Sequence, residues 1–160
     1  MCQPPNDRDS RKSWYSHKLK KSCVRYEIGI AIQSGDIVWV SGPWRAGRYP
    51  DITIFRNGGL KERLLEAEEQ AEADLGYRGE PEVVDLPEEG TIDMILAKSR
   101  ARMRHETCNK RFKHWNCLNH NFRHGVTVHR DCMRAVTVLT QLAIESGEPL
   151  FDAAFVNVNI

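Results

Sequence analysis

The sequence has no apolar run approaching the ~18 residues that a membrane-spanning helix needs, so no membrane partner is expected. Its first residues, Met-Cys-Gln-Pro-Pro-Asn-Asp-Arg, contain no apolar h-region and do not read as a secretory signal. Cysteine is sparse: Cys2, Cys23, Cys108, Cys117 and Cys132 are odd in number and widely spaced. A disulfide framework is not expected, and a reducing compartment fits better. There is no internal repeat and no low-complexity tract, and neither sign of charge dominates, with 23 Lys and Arg against 22 Asp and Glu. What is there is an ordinary globular composition, 41% apolar and 28% charged over 160 residues, enough for one domain with a real core.

The near-zero net charge conceals segregation. Residues 61–93 carry three basic and twelve acidic side chains, whereas residues 98–134 carry ten basic and two acidic. A basic stretch interleaved with Phe112, Trp115 and Phe122 suits a polyanion, although a solvated basic helix paired with the acidic segment has the same composition.

Residues 1–13 are polar, contain Pro4-Pro5 and read as a loosely held arm. Residues 24–32 and 37–41 are β-rich runs separated by Gln33-Ser34-Gly35-Asp36, which predicts a hairpin, with Gly42-Pro43 ending its second strand. Pro50 disfavours helix before it, and Asp51 can cap the free N–H groups after it. Residues 52–70 read as one or two helices broken at Gly58-Gly59, Ala71–Ala73 as a very short strand, and 79–92 as an acidic loop. Helices are expected over 92–115 and 131–146, and 155–160 reads as an edge strand or a tail. The order is that of a mixed α/β domain with helices packed on a sheet.

On the long helix, Arg102, Glu106 and Lys113 lie at about 0°, 40° and 20° around the axis, on one face. Arg102 and Glu106 can pair one turn apart, which by itself is an ordinary helix ion pair. Asp74 sits at a strand end. Carboxylates on a strand end and a neighbouring helix can converge on a divalent ion, with phosphate and water completing its shell.

These residues belong to an ordered series. It begins with Trp14-Tyr15-Ser16-His17-Lys18, Arg25-Tyr26-Glu27-Ile28-Gly29, Gly35-Asp36-Ile37-Val38-Trp39-Val40 and Gly47-Arg48-Tyr49-Pro50-Asp51-Ile52. It continues through Ala73-Asp74-Leu75-Gly76-Tyr77-Arg78-Gly79, Arg104 to Lys113 and Arg134 to Phe151. The series resembles the catalytic domain of PIF/Harbinger-type transposases, in the DDE superfamily of endonucleases, over residues 14–151. The resemblance implies an RNase-H-like mixed sheet with flanking helices and an Asp-Asp-Glu triad holding Mg²⁺ or Mn²⁺. It implies a DNA substrate, nuclear location and, as further partners, a separate DNA-binding protein or a second copy of the chain. Asp74 resembles the second Asp and Glu106 the final Glu. Arg102 and Lys113 complete the glutamate signature, and with Lys110, Arg111 and Arg123 would meet phosphates. Asp51 resembles a recurrent Asp, either a helix cap or an additional carboxylate.

One departure stands out. The family's first Asp lies on a first, central strand in an Asp-Gly context, and neither Asp7 nor Asp9 has that context. The expectation is a domain truncated before Trp14, lacking that strand and inactive or weak as a nuclease, with residues 152–160 as a tail. The alternative is a non-catalytic DNA-binding or interaction protein derived from a transposase, distinguished by whether a third carboxylate joins Asp74 and Glu106. A further alternative is a small zinc module, since Cys117-x2-His120 and His129-x2-Cys132 could supply four ligands.

Overall fold

The computed structural model describes residues 12–86 and 90–151. The 1–13 arm, but for its last two residues, and the strand or tail expected at 155–160 lie outside them. Among the described residues the strands form three two-stranded sheets, and about half of the chain is helical. The mixed α/β character read from the sequence is therefore present.

The small pair β1 (Tyr15–Ser16) and β2 (Lys21–Ser22) leads into the main hairpin, β3 (Val24–Ile30) and β4 (Ile37–Arg45). β3 and β4 pair antiparallel, with Ile28 opposite Val40 and Gly29 opposite Trp39. The β-branched residues read from the sequence form this hairpin, but Gly42-Pro43 does not end β4. Pairing resumes beyond a register shift, with Arg25 opposite Trp44 and Val24 opposite Arg45. Gly42 makes this possible: its φ is 138°, and a Cβ there would stand 2.6 Å from the Tyr26 ring.

Two short helices follow, α1 (Asp51–Asn57) and α2 (Leu60–Ala67), broken at Gly58-Gly59. Gly59 adopts φ 95°, a conformation that favours glycine and starts α2 in a new direction. β5 (Ala71–Glu72) then pairs in parallel with β6 (Val84–Asp85), a strand inside the segment expected to be loop. Between them Leu75–Tyr77 makes one 3-10 turn. The long helix α3 (Ile92–His114) starts at Thr91, whose hydroxyl accepts from the Met94 amide. α4 (Asn116–Asn119) is a single turn, and α5 (Val126–Glu145) begins five residues earlier than its apolar content predicts.

The core has two parts. Cys108 and Phe112 of α3 and Met133 and Val136 of α5 close over Tyr26, Ile28, Ile30, Ile37 and Val40 of the hairpin, with Leu150 beneath. Phe55 of α1, Leu64 of α2, and Val83 and Val84 form the second, with Tyr77 packed edge-on to Phe55. Trp14 is buried, with the Arg45 guanidinium 5.3 Å above its ring. Polar side chains pin α3 to the β5–β6 pair and to the β3–β4 hairpin. Lys98 is 4% exposed and donates to Asp85 Oδ1 at 2.5 Å and to Leu86 O at 2.8 Å. His105 Nε2 donates to Ile28 O of β3 at 3.1 Å, and buried Arg104 donates to the carbonyls of Ile32, Gln33 and Phe151.

Candidate metal centre

β3, α1 and the turn after β5 bring acidic side chains to Tyr77. Burial foremost, and then the negative charges of Glu27, Asp51 and Asp74, push its phenol above the ordinary range, with Arg25 opposing them. Asp51 stands at the start of α1, but Pro50 occupies the cap position and no side chain caps the helix. The cap role expected of Asp51 is therefore corrected: its Oδ1 accepts from Arg25 Nη1 at 2.9 Å instead. Asp74 does cap, over a shorter element. Its Oδ1 accepts from the Gly76 amide at 2.8 Å, which starts the 3-10 turn.

That turn sets the two aspartates against each other. The point where a Cβ on Gly76 would sit is 2.8 Å from Asp74 Oδ1 and 3.3 Å from Asp51 Oδ2. Gly76 is the residue whose missing side chain lets both carboxylates approach one spot.

Glu27 was not singled out from the sequence, where it looks like one position of a strand. It is 4% exposed, its Oε2 accepts from Trp39 Nε1 at 3.0 Å, and its Oε1 is buried without a hydrogen-bond partner. Burial raises its pKa, the Trp39 bond lowers it, and the charge of Asp51 raises it again. The only signal for Glu27 in the sequence is a carboxylate two residues after Arg25, alternating with the apolar residues of a strand.

Glu106 lies on an exposed part of α3, as do Arg102, Lys110 and Lys113. Burial pushes the carboxyl of Glu72 of β5 up to about 7, and the positive charges of Lys98 and, less strongly, Arg102 oppose the rise. Arg123 is exposed between α4 and α5, whereas Arg111 donates to the carbonyls of Glu148 at 2.5 Å and Pro149 at 2.8 Å. Thus Asp51 and Asp74 are brought together and Glu106 is not joined to them. Among the described residues no group of three or more His, Cys, Asp or Glu side chains is spaced to hold one ion.

The zinc quartet is not assembled. His129 is 3% exposed, hydrogen-bonded through Nδ1 to Tyr26 Oη at 2.8 Å and stacked on that ring, so it serves the core. Cys117 and Cys132 do approach each other and are free thiols.

With this geometry in view, the sequence matches the DDE superfamily endonuclease family over residues 1–143. The chain belongs to that family. No curated protein and no solved structure matches it at a significant level. The family implies a divalent metal, and the donor chemistry agrees. Asp51 and Asp74 are hard oxygen donors, each with Oδ1 engaged and Oδ2 available. Mg²⁺ characteristically takes one or two protein carboxylates and completes its octahedron with water and phosphate.

Proposed function

We propose that the chain is a transposase-type endonuclease domain with an RNase-H-like fold that acts on DNA phosphodiesters. Asp74 would hold Mg²⁺ or Mn²⁺ with Asp51 as an additional carboxylate, and Glu106 would approach from α3 when ion and substrate are bound. The ion would supply Lewis-acid polarisation of the phosphate and a lowered pKa for the attacking water. Arg25 holds Asp51 in orientation, and the Gly76 amide does the same for Asp74. Arg102, Lys110, Lys113 and Arg123 lie exposed to meet the DNA backbone, and Arg111 would join them by releasing the carbonyls it now holds. Harbinger-type membership, nuclear location and a separate DNA-binding partner belong to the same reading.

The observation that carries it is the convergence of Asp51 and Asp74 on Gly76 within a chain of the DDE family. This chain as written is proposed to cut weakly or not at all, because neither Asp7 nor Asp9 carries the Asp-Gly context of the family's first ligand. The test is nicking of supercoiled plasmid by the purified chain. Salt-sensitive DNA binding with little or no nicking is expected. Robust Mg²⁺-dependent nicking abolished by Glu106→Ala would overturn the weak-activity claim while upholding the site. The non-catalytic alternative has the same DNA binding but no divalent-ion site.

A further inference from the structure

Among the described residues Cys23, Cys108, Cys117 and Cys132 are free thiols. Cys23 and Cys108 are buried, and burial pushes the Cys108 thiol up to about 11, so neither is placed to react. Cys117 and Cys132 are only half-buried, and their thiols meet. The fold brings them together across a reversal of the chain. Cys117 lies in α4, and Cys132 lies near the start of α5. Between them Phe122 is buried with its ring edge-on to His129, 4.9 Å between centroids, which lays the connection against the first turn of α5. Cys117 and Leu118 pack against the cluster that holds Met133, the residue after Cys132. The two thiols therefore sit side by side at the rim of the main core, where solvent reaches both.

Neither cysteine touches the candidate metal centre. Zinc would need two further ligands, and His129 is committed to Tyr26 in the core. What two adjacent, accessible thiols can do by themselves is exchange with a disulfide. Burial foremost, then the negative charges of Cys117 and Asp131 and the hydrogen bond to Cys117, raise the Cys132 thiol above its usual range. Cys132 is thus disfavoured as the first attacker, and attack begins at Cys117.

We propose that Cys117 and Cys132 form a reversible dithiol–disulfide pair, oxidised by low-molecular-weight disulfides of the glutathione class. The Cys117 thiolate attacks one sulfur of glutathione disulfide, whose S–S bond breaks, and one glutathione leaves as its thiolate. The Cys132 thiolate then attacks the Cys117 sulfur of the mixed disulfide, and the second glutathione leaves. Two protein thiols are oxidised to one disulfide, one glutathione disulfide is reduced to two thiols, and the two protein protons pass to them. The bridge ties α4 to α5 and closes a ring that carries the exposed Arg123.

Equilibration of the full, folded chain in glutathione buffers of increasing oxidising poise, followed by alkylation and peptide mass spectrometry, tests it. The expected product is lighter by two hydrogens and gives one linked pair of tryptic peptides, joined through Cys117 and Cys132. Dithiothreitol reverses it, and Cys23 and Cys108 are alkylated only after denaturation. The bridge should be favoured on the order of tenfold or more over the same chain in urea, where the fold no longer holds the two thiols together. Cys117→Ser and Cys132→Ser should each abolish it and leave no more than a glutathione adduct on the remaining thiol. A folded chain that keeps both thiols at every poise overturns the proposal. So does a bridge that runs to Cys2 instead, or one formed no more readily in the folded chain than in urea.

Discussion

Asp51 and Asp74 face one another across Gly76, although one opens a helix and the other closes the connection from a strand. The point where a Cβ on Gly76 would sit is 3.3 Å from Asp51 Oδ2 and 2.8 Å from Asp74 Oδ1. Gly76→Ala is therefore expected to force Asp74 off its present rotamer and weaken Mn²⁺ binding. Because Gly76 is exposed, thermal stability should change by less than about 1 kcal/mol. Isothermal titration with Mn²⁺ beside a thermal melt separates the two effects.

Lys98 is the charged anchor of α3, held by Asp85 at 2.5 Å with Glu72 at 3.8 Å. Lys98→Met would leave two carboxylates together at a largely buried site. Breaking a buried pair of this kind costs about 3–5 kcal/mol, which a urea titration reads as a lowered midpoint. Phe112→Ala in the main core should cost a similar ~3–5 kcal/mol through a different cause, the cavity left between α3 and α5.

Two buried groups give the fold opposing pH responses. Burial foremost, and then Asp85, push Glu72 up to about 7 against the pull of Lys98 and Arg102. The native state then holds a proton that the unfolded chain releases near the usual 4.5, so this contribution to stability is lost as pH rises from about 4.5 to 7. Burial pushes His129 down to about 4, so the unfolded chain binds its proton first and stability falls as pH drops from 6.5 to about 4. The slopes oppose one another over much of that range. Glu72→Gln should expose the acid sensitivity of His129, and His129→Gln the alkaline sensitivity of Glu72. Urea midpoints at pH 4.5, 6 and 7.5 check both.

The basic residues on the exposed part of α3 should act through phosphates. Lys110→Ala and Lys113→Ala should each reduce the slope of log affinity against log salt by about 1, uniformly across DNA sequences. Fluorescence anisotropy at several salt concentrations measures it, and an unchanged slope would remove those residues from the interface.

Much of this structure was legible because its causes are local. Alternating β-branched residues and a Gly-containing turn announce the hairpin, and Gly58-Gly59 marks the break between α1 and α2. The long helix follows from its composition and length. What was hidden depends on contacts distant in sequence. β4 continues past Gly42-Pro43 because Gly42 fits against the Tyr26 ring. Asp51 looks like a helix cap, but Pro50 takes that position and Arg25 of β3 claims the carboxylate. Glu27 and Lys98 sit in segments whose burial only the tertiary fold decides. At the site, Asp74 was legible from its strand-end context. Its pairing with Asp51 was not, because it depends on the close approach at Gly76.

The most direct measurement is Mn²⁺ binding followed by electron paramagnetic resonance on the intact chain, its Asp74→Asn and Asp51→Asn variants, and Glu106→Gln. The account predicts loss of the free Mn²⁺ signal with wild type and marked weakening in both aspartate variants. Glu106→Gln should show a smaller effect without DNA and a larger one with DNA present. A wild-type chain that leaves the free-ion signal unchanged, or one whose binding survives Asp74→Asn intact, would contradict it.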